Sequence, residues 1–305
     1  MLSLESINMT VTQSSPITTT EHAAHTTPAP AIPRQGMVAA LRDLWAYRYA
    51  IVQLTIRELK ARYKNTALGF FWSLLNPIGM MLVFTAVFTV FLPNNQIQNY
   101  PLFVLCGLLP WNFLSAGVMT GTSSITTNAN LVTKIYFPRA VIPIATVAAN
   151  LVNFLLSLIV LFVFLLLFRT HISAWILLLP VVVVLHTAFI LGLALILSTL
   201  NVFYRDTMMV MDVLMLAWFF LTPVVYALEI LPDNYTLFGV TFNVQRTMYI
   251  VNPMASIIGT YRDLLYWGYR TDFDFFVRTA ITAFGVLGFG FWFFLRYSAR
   301  FGEEV

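Results

Sequence analysis

The chain has 305 residues, of which 59% are hydrophobic and only 10% charged, against roughly 25% charged in a typical soluble domain. A mean hydropathy of +0.80 fits a polypeptide whose solvent is mostly lipid, which excludes a soluble enzyme, a disordered regulator and a disulfide scaffold. The net charge of +4 is not placed as in a nucleic-acid binder: seven of the 17 Lys and Arg precede residue 65, beside the first long apolar stretch, as in a membrane protein anchoring its cytosolic side. The one cysteine, Cys106, forms neither an internal disulfide nor a cysteine-rich metal site. It lies in an apolar run and reads as core packing.

Residues 1–36 are rich in Thr, Ala, Pro and Ser. Such a segment buries too little surface to offset its ordering entropy, so a disordered cytosolic tail is expected. Without a basic start followed by an apolar core it does not read as a signal peptide. Over 37–66, Leu41, Leu44, Trp45, Val52, Ile56, Leu59 and Tyr63 recur at roughly helical spacing. Arg42, Arg48, Arg57, Lys60, Arg62 and Lys64 interleave with them. This pattern predicts an amphipathic interfacial helix in the headgroup region, its basic side toward anionic lipid; an ordinary soluble helix packed on a neighbour is the plainer alternative.

Six apolar stretches follow, near 69–92, 101–123, 141–168, 174–199, 208–228 and 277–297, each about as long as a bilayer core requires. They predict an all-α integral membrane protein with six transmembrane helices in a membrane domain over 67–300. Pro77, Pro110, Pro180 and Pro223 fall inside the predicted spans, where neighbouring helices or water can satisfy the freed carbonyls. With the N-terminus inside, the cytosolic parts hold twelve basic residues and the external parts five, which places both termini in the cytosol. Residues 229–276 are too interrupted to span cleanly. Segment 254–268 reads as a short amphipathic helix, and the region as short re-entrant helices dipping into the outer leaflet before the last span; a surface loop is the alternative.

The sequence has no GxxxxGK[ST] phosphate loop, no HExxH and no GxSxG, so neither nucleotide binding by that loop nor catalysis is assigned to the chain. His22 and His25 are in the tail, and His171 and His186 are isolated; no metal site is expected. The spans carry no ladder of buried charges of the kind proton-coupled carriers and channels need, and Asp212 reads as a helix-start charge at the interface. Aromatic residues are abundant, with 27 Phe, 13 Tyr and 7 Trp. Some belong to interface belts. Phe70, Phe71 and Trp72, and Trp218, Phe219 and Phe220, lie well inside spans, where an aromatic face suits either lipid contact or stacking on sugar rings.

The run Arg57-Glu58-Leu59-Lys60-Ala61-Arg62-Tyr63, then Leu68-Gly69, Trp72 and Leu75-Asn76-Pro77, resembles the start of an ABC transporter type 2 permease. More narrowly, it is similar to the exporters of polysaccharide and polyol phosphate that move O-antigen, capsule or teichoic acid. Further matches recur in order: Pro110-Trp111-Asn112-Phe113, the loop from Asn128 to Arg139, Phe203-Tyr204-Arg205-Asp206, Thr222-Pro223-Val224-Val225-Tyr226, Asn252-Pro253 and Tyr261-Arg262. Single motifs are weak, and their order across 41–300 is what carries the resemblance.

The resemblance implies a half-transporter in the bacterial inner membrane. Two copies would form the path as a homodimer, with two copies of a separate soluble ATPase that binds ATP and Mg beneath them. The implied ATPase-coupling residues are Asn128, Leu131, Lys134, Tyr136, Phe137 and Arg139, with Arg205 and Asp206 at the short inner loop. The interfacial helix would contribute Arg48, Arg57, Lys60, Arg62 and Tyr63. Its basic residues are candidates to attract the pyrophosphate of a lipid-linked polysaccharide substrate. Phe70, Phe71, Trp72, Trp218, Phe219, Phe220 and Tyr226 would line the sugar path, and residues 229–262 would cap it. Two alternatives remain: a type 2 exporter of a drug or lipid, and a membrane enzyme acting on lipid-linked sugars. The latter's nearest acid pair, Asp272 and Asp274, points to different helix faces.

Overall fold

The computed structural model describes residues 36–87, 97–134, 137–169, 173–228, 234–237 and 240–305. The expected tail up to residue 35, the end of the first predicted span beyond residue 87, Tyr136 and the side chain of Phe70 lie outside the described residues.

The chain opens with α1 (Met37–Ala46) and α2 (Arg48–Tyr63). The expected single helix over 37–66 is therefore broken, at Tyr47, whose backbone leaves helical geometry (φ −89°, ψ 13°). A 3₁₀ turn at Gly69–Phe71 leads into α3 (Trp72–Ala86). Next come α4 (Tyr100–Thr127), the short α5 (Ala129–Lys134) and α6 (Val141–Leu167). After them stand α7 (Leu179–Phe203), entered through a 3₁₀ turn at Ala174–Leu178, and α8 (Thr207–Leu221). An antiparallel pair, β1 (Asn234–Leu237) with β2 (Val240–Asn243), precedes α9 (Val244–Val251) and α10 (Pro253–Arg262). A π-type turn at Asp263–Trp267 extends α10. The chain closes with α11 (Phe273–Ser298) and α12 (Phe301–Glu304).

Among the described residues four helical segments are long and apolar enough to cross a membrane: Tyr100–Thr127, Val141–Leu167, Ala174–Phe203 and Phe273–Ser298. Helices α3 and α8 are equally apolar but have 15 residues each, short of the roughly 20 a bilayer core needs. For α8 the cause is local. Pro223 disfavours helical geometry in the residue before it, and Thr222 turns extended (ψ 135°). Pro223 thus ends a helix rather than kinking one, and Pro180 occupies the first turn of α7, where its missing N–H costs nothing. Pro77 and Pro110 do lie inside helices.

Helix α4 is the centre of the bundle, buried along almost its whole length. Pairing contacts give the directions. Gly117 and Gly121 of α4 meet Ile190 and Ala194 of α7, so these two helices run parallel. Phe113 stacks on Phe154 at 4.7 Å and Asn150 donates to Thr120 at 2.8 Å, so α6 runs antiparallel to α4. Helix α11 runs parallel to α7 at a crossing of small residues: a Cβ on Gly192 would stand 2.6 Å from Val286 C and Leu287 N, and one on Gly290 would collide with the Gly192 backbone. Close backbone approach of this kind is how membrane helices gain packing without a hydrophobic driving force between them. Trp218 of α8 reaches Trp111 and Phe189, so α8 turns back antiparallel to α7 after the short 204–206 link.

The bundle thus has two ends. The α5 end gathers the last turns of α4, α7 and α11 and the first turn of α6. The α10 end gathers Tyr100, the 222–228 segment and α10.

Candidate functional site

At the α5 end, a second apolar cluster joins Ala40 and Leu44 of α1, Ile125, Val132, Val141, Val202, Phe294 and Phe301. Phe301 is fully buried and meets Phe294 at 5.2 Å and Phe203 at 6.1 Å. Arg139 donates to the Ser298 carbonyl, and Gly302 lies under the same guanidinium. The C-terminal turn α12 is therefore bolted onto the ends of α7 and α11 and onto the loop after α5.

The predicted coupling residues divide accordingly. Leu131 and Phe137 pack against the cluster, Arg139 is engaged by Ser298, and Asn128 donates to Ser124 O (2.9 Å) while accepting from Arg57 (2.6 Å). Lys134, Arg205 and Asp206 are exposed. The first four shape this end, and the last three present charge at its surface.

Helix α2 does not stand apart from the bundle. Thr55 bonds Ala145 O (3.4 Å), Arg62 bonds Asn150 (3.0 Å) and Tyr63 bonds Asn153 (2.8 Å). Both helices advance eight residues between the first and last of these bonds, so α2 rises alongside α6. Asn153 stands twelve residues past Val141, which is about 18 Å along the helix axis. Of the basic side chains on α2, Arg57 is held by Asn128 and by Glu58 at 3.1 Å, and Arg62 by the Asn150–Thr120 chain. Arg48 folds back over Trp45. An open groove of about 550 Å³ is lined by Arg57, Leu59, Lys60, Ala61, Tyr63, Lys64 and Gly69. Lys60 and Lys64 are its exposed cations without a hydrogen-bond partner among the described residues.

The predicted aromatic path residues also separate. Phe71, Trp72 and Phe220 are exposed at 67%, 48% and 66%; Phe71 closes the 3₁₀ turn and Trp72 opens α3, so neither lies well inside a span as expected, while Phe220 is on α8. Trp218 and Phe219 point inward against Trp111, at 6.1 and 5.4 Å, and belong to the packed core. Tyr226 is half-buried and donates to Phe220 O at 3.2 Å.

At the α10 end stands an arrangement that sequence reasoning missed. A helix leaves its last four carbonyls without intrahelical donors, and in an apolar surrounding each must find a partner. All four of α8 do. Trp218 O accepts from Thr222 Oγ1 (2.7 Å), Phe219 O from Thr222 N (3.2 Å), Phe220 O from the Tyr226 hydroxyl, and Leu221 O from Asn252 Nδ2 (3.1 Å). The carbonyls of the turn and bend beyond, 222–226, are satisfied too. Thr222 O accepts from Val224 N (2.7 Å), and Val225 O accepts from the Tyr100 hydroxyl. Arg262 donates to Pro223 O (2.6 Å), Val224 O (2.6 Å) and Tyr226 O (3.3 Å). Its guanidinium lies 3.7 Å from the centroid of the Phe103 ring, and the side chain is 5% exposed.

Asn252 and Arg262 bracket α10, whose residues Met254, Ala255, Ile257, Ile258 and Tyr261 are buried. Asn252 is also its N-cap: the side-chain oxygen accepts from Met254 N and Ala255 N and from Trp218 Nε1 (2.8 Å). The Asn-Pro pair announces a helix start. Nothing in the spacing announces that the arginine ten residues later is buried; by charge counting it is one of five external basic residues.

An apolar bundle with four helices, among the described residues, long and apolar enough to cross a membrane, two shorter apolar helices with exposed faces, and a basic helix packed along α6 has the form of a multi-pass membrane protein. The chain matches the ABC-2 type transporter family over residues 49–266 and belongs to that family, which makes it a component of a transporter rather than an enzyme. It is 38% identical over 230 residues to the O-antigen export system permease protein RfbA of Myxococcus xanthus, covering 75% of this chain and 85% of that protein. It is 30% identical over 254 residues to a protein of the same name from Klebsiella pneumoniae, covering 83% and 93%. Identity to the polysialic acid transport protein KpsM of Escherichia coli is 21% over 235 residues, covering 74% and 84%.

Proposed function

We propose that this chain is the membrane half of an ATP-driven exporter that carries a lipid-linked polysaccharide from the cytosolic face of a bacterial inner membrane. The observation that carries the reading is the family match together with similarity to O-antigen export permeases over 85–93% of their length. Two copies form the path. The alternating directions of α4, α6, α7, α8 and α11, with the apolar α3 ahead of them, support six crossings, and the 222–228 segment extends the short α8. The β1–β2 hairpin with α9 and α10 forms a re-entrant outer unit, and both termini face the cytosol.

The α5 end meets the ATPase, which brings ATP and Mg. Lys134, Arg205 and Asp206 supply the exposed charges of that contact, and α5 with α12 supplies its rigid seat. ATP-driven closure of the ATPase pair moves this end as a body, because its elements share one apolar cluster. On α2, Lys60 and Lys64 are the cations available to a lipid pyrophosphate, since Arg57 and Arg62 are engaged by asparagines. Uncovered Phe71, Trp72 and Phe220 give the sugar chain flat apolar faces that tolerate different sugars.

Mild-detergent purification of the tagged chain tests the proposal. A near-stoichiometric ATPase is expected, with hydrolysis stimulated by lipid-linked glycan extracted from the same cells. A chain that purifies folded and without an ATPase would overturn it; stimulation by small lipids or drugs alone would move it to the small-substrate branch.

A further inference from the structure

Segment 222–226 is turn and bend, and its carbonyls beyond Thr222 are held by side chains. We infer that Asn252 and Arg262 are positioning residues of transport: they lock the outer end of α8 to α10, so that the two move as one body and the outer end of the path stays sealed between cycles. The inference rests on the reading above that α8 faces the path.

Three features carry it. A buried arginine in a membrane protein is expensive and ordinarily functional, and this one is given over to the carbonyls of three residues in a single five-residue stretch. Its planar fork suits three divergent acceptors. Nη1 serves Pro223 and Tyr226 while Nη2 serves Val224, an arrangement a lysine point charge does not reproduce. Asn252 acts on the same junction from the other side, its amide donating to Leu221 O and Thr222 Oγ1. The lock leaves no slack. A Cβ on Gly107 of α4 would stand 2.7 Å from Val224 O and 2.8 Å from Arg262 Nη2, so α4 presses on the junction from behind.

Pro223 forbids a continuous helix; beyond the Val224 N–Thr222 O bond, the carbonyls of 223–226 depend on side-chain donors. Without those donors the segment opens, and α10 loses its register on α8. With them, a displacement of α8 at the α5 end arrives at α10 undiminished.

The test uses the complex of this chain with its ATPase, reconstituted in vesicles loaded with carboxyfluorescein. Arg262→Gln, Arg262→Lys, Asn252→Asp and Gly107→Ala are compared with wild type. Asn252→Asp separates two roles, because aspartate keeps the N-cap acceptor and loses both amide donors. Dye efflux should rise tenfold or more for Arg262→Gln and Asn252→Asp, and less for Gly107→Ala. Glycan exported per ATP should fall by a similar factor, while ATP hydrolysis stays within twofold because the α5 end is untouched. Arg262→Lys should recover little.

Wild-type efflux and wild-type glycan per ATP in assembled, monodisperse Arg262→Gln or Asn252→Asp complexes would overturn the inference. If Arg262→Gln does not assemble, Asn252→Asp and Gly107→Ala decide by the same measures. Failure of the exporter reading is separate: it shows as a wild-type complex indifferent to glycan. In that event amide exchange over 219–228 still reads the lock, which predicts at least tenfold faster exchange there in Asn252→Asp and is overturned by unchanged exchange.

Discussion

His186, isolated in the sequence, is a packed core residue whose neighbours only the structure supplies. It is completely buried in α7, with ring contacts to Phe113 (5.0 Å), Phe154 (6.0 Å) and Tyr261 (5.9 Å). Neither its nitrogens nor the Tyr261 hydroxyl has a hydrogen-bond partner among the described residues. A buried polar group left unpaired costs about 1–3 kcal/mol, and replacing it with an apolar group of similar shape recovers part of that. His186→Leu and Tyr261→Phe should therefore unfold at higher temperature than wild type in detergent; a clear drop in both would mean that bound water completes these groups. The Arg62–Asn150–Thr120 chain predicts the opposite sign. Arg62→Ala should destabilise, and a double-mutant cycle with Asn150→Ala should give a coupling of about 1 kcal/mol. A coupling near zero would make Arg62 a plain anchoring charge. The Asn150 partner of Arg62 was not legible from the sequence, because it lies 88 residues away and asparagines carry no charge pattern to be counted.

At the scale of elements, run length and composition sufficed for α4, α6, α7 and α11, since a long apolar stretch has few other solutions in lipid. The crossing of α7 and α11 is set by tertiary packing. Gly192 and Gly290 are in backbone contact there, whereas a Cβ on Gly285 or Gly288 of the same α11 meets nothing within 4 Å. Gly192→Val should abolish monodisperse protein on size-exclusion chromatography, and Gly288→Ala should be neutral or slightly stabilising, since alanine favours a helix by up to about 1 kcal/mol. Equal behaviour of the two would remove the crossing as the cause. The short α12 is a second element whose weight only the structure shows. Phe301→Ala deletes a fully buried ring and should cost about 3–5 kcal/mol, read as a lower unfolding temperature together with weaker ATPase binding. Lost stability with intact ATPase binding would confine α12 to a packing role.

At the scale of the molecule, the uncovered faces of α3 and α8 are where a second copy would be met. Leu75, Ile78, Leu82 and Val83 on α3, and Val210, Val213, Leu214 and Phe220 on α8, are exposed, but so are Leu155, Ile159 and Val163 on α6. Lipid covers such faces as readily as a second copy does. Single cysteines in a background with Cys106 replaced by Ala should separate them: dimers should cross-link in membranes from α3 or α8 positions and not from Ile159. Cross-linking from Ile159 alone would place the second copy elsewhere.

The sequence by itself determined the lipid solvent, the helical class, the apolar stretches and, through ordered motifs, the family. These depend on composition and order along the chain, which burial does not alter. Tertiary structure alone decided which charges find hydrogen-bond acceptors and which, among the described residues, do not. Arg57, Arg62, Arg139 and Arg262 look alike in a charge count, yet each is consumed by a specific amide or carbonyl, while Lys60, Lys64 and Lys134 stay exposed. The reason is physical: a charge in an apolar bundle is governed by the hydrogen-bond acceptors within about 3 Å of it, and the fold brings those acceptors from tens of residues away.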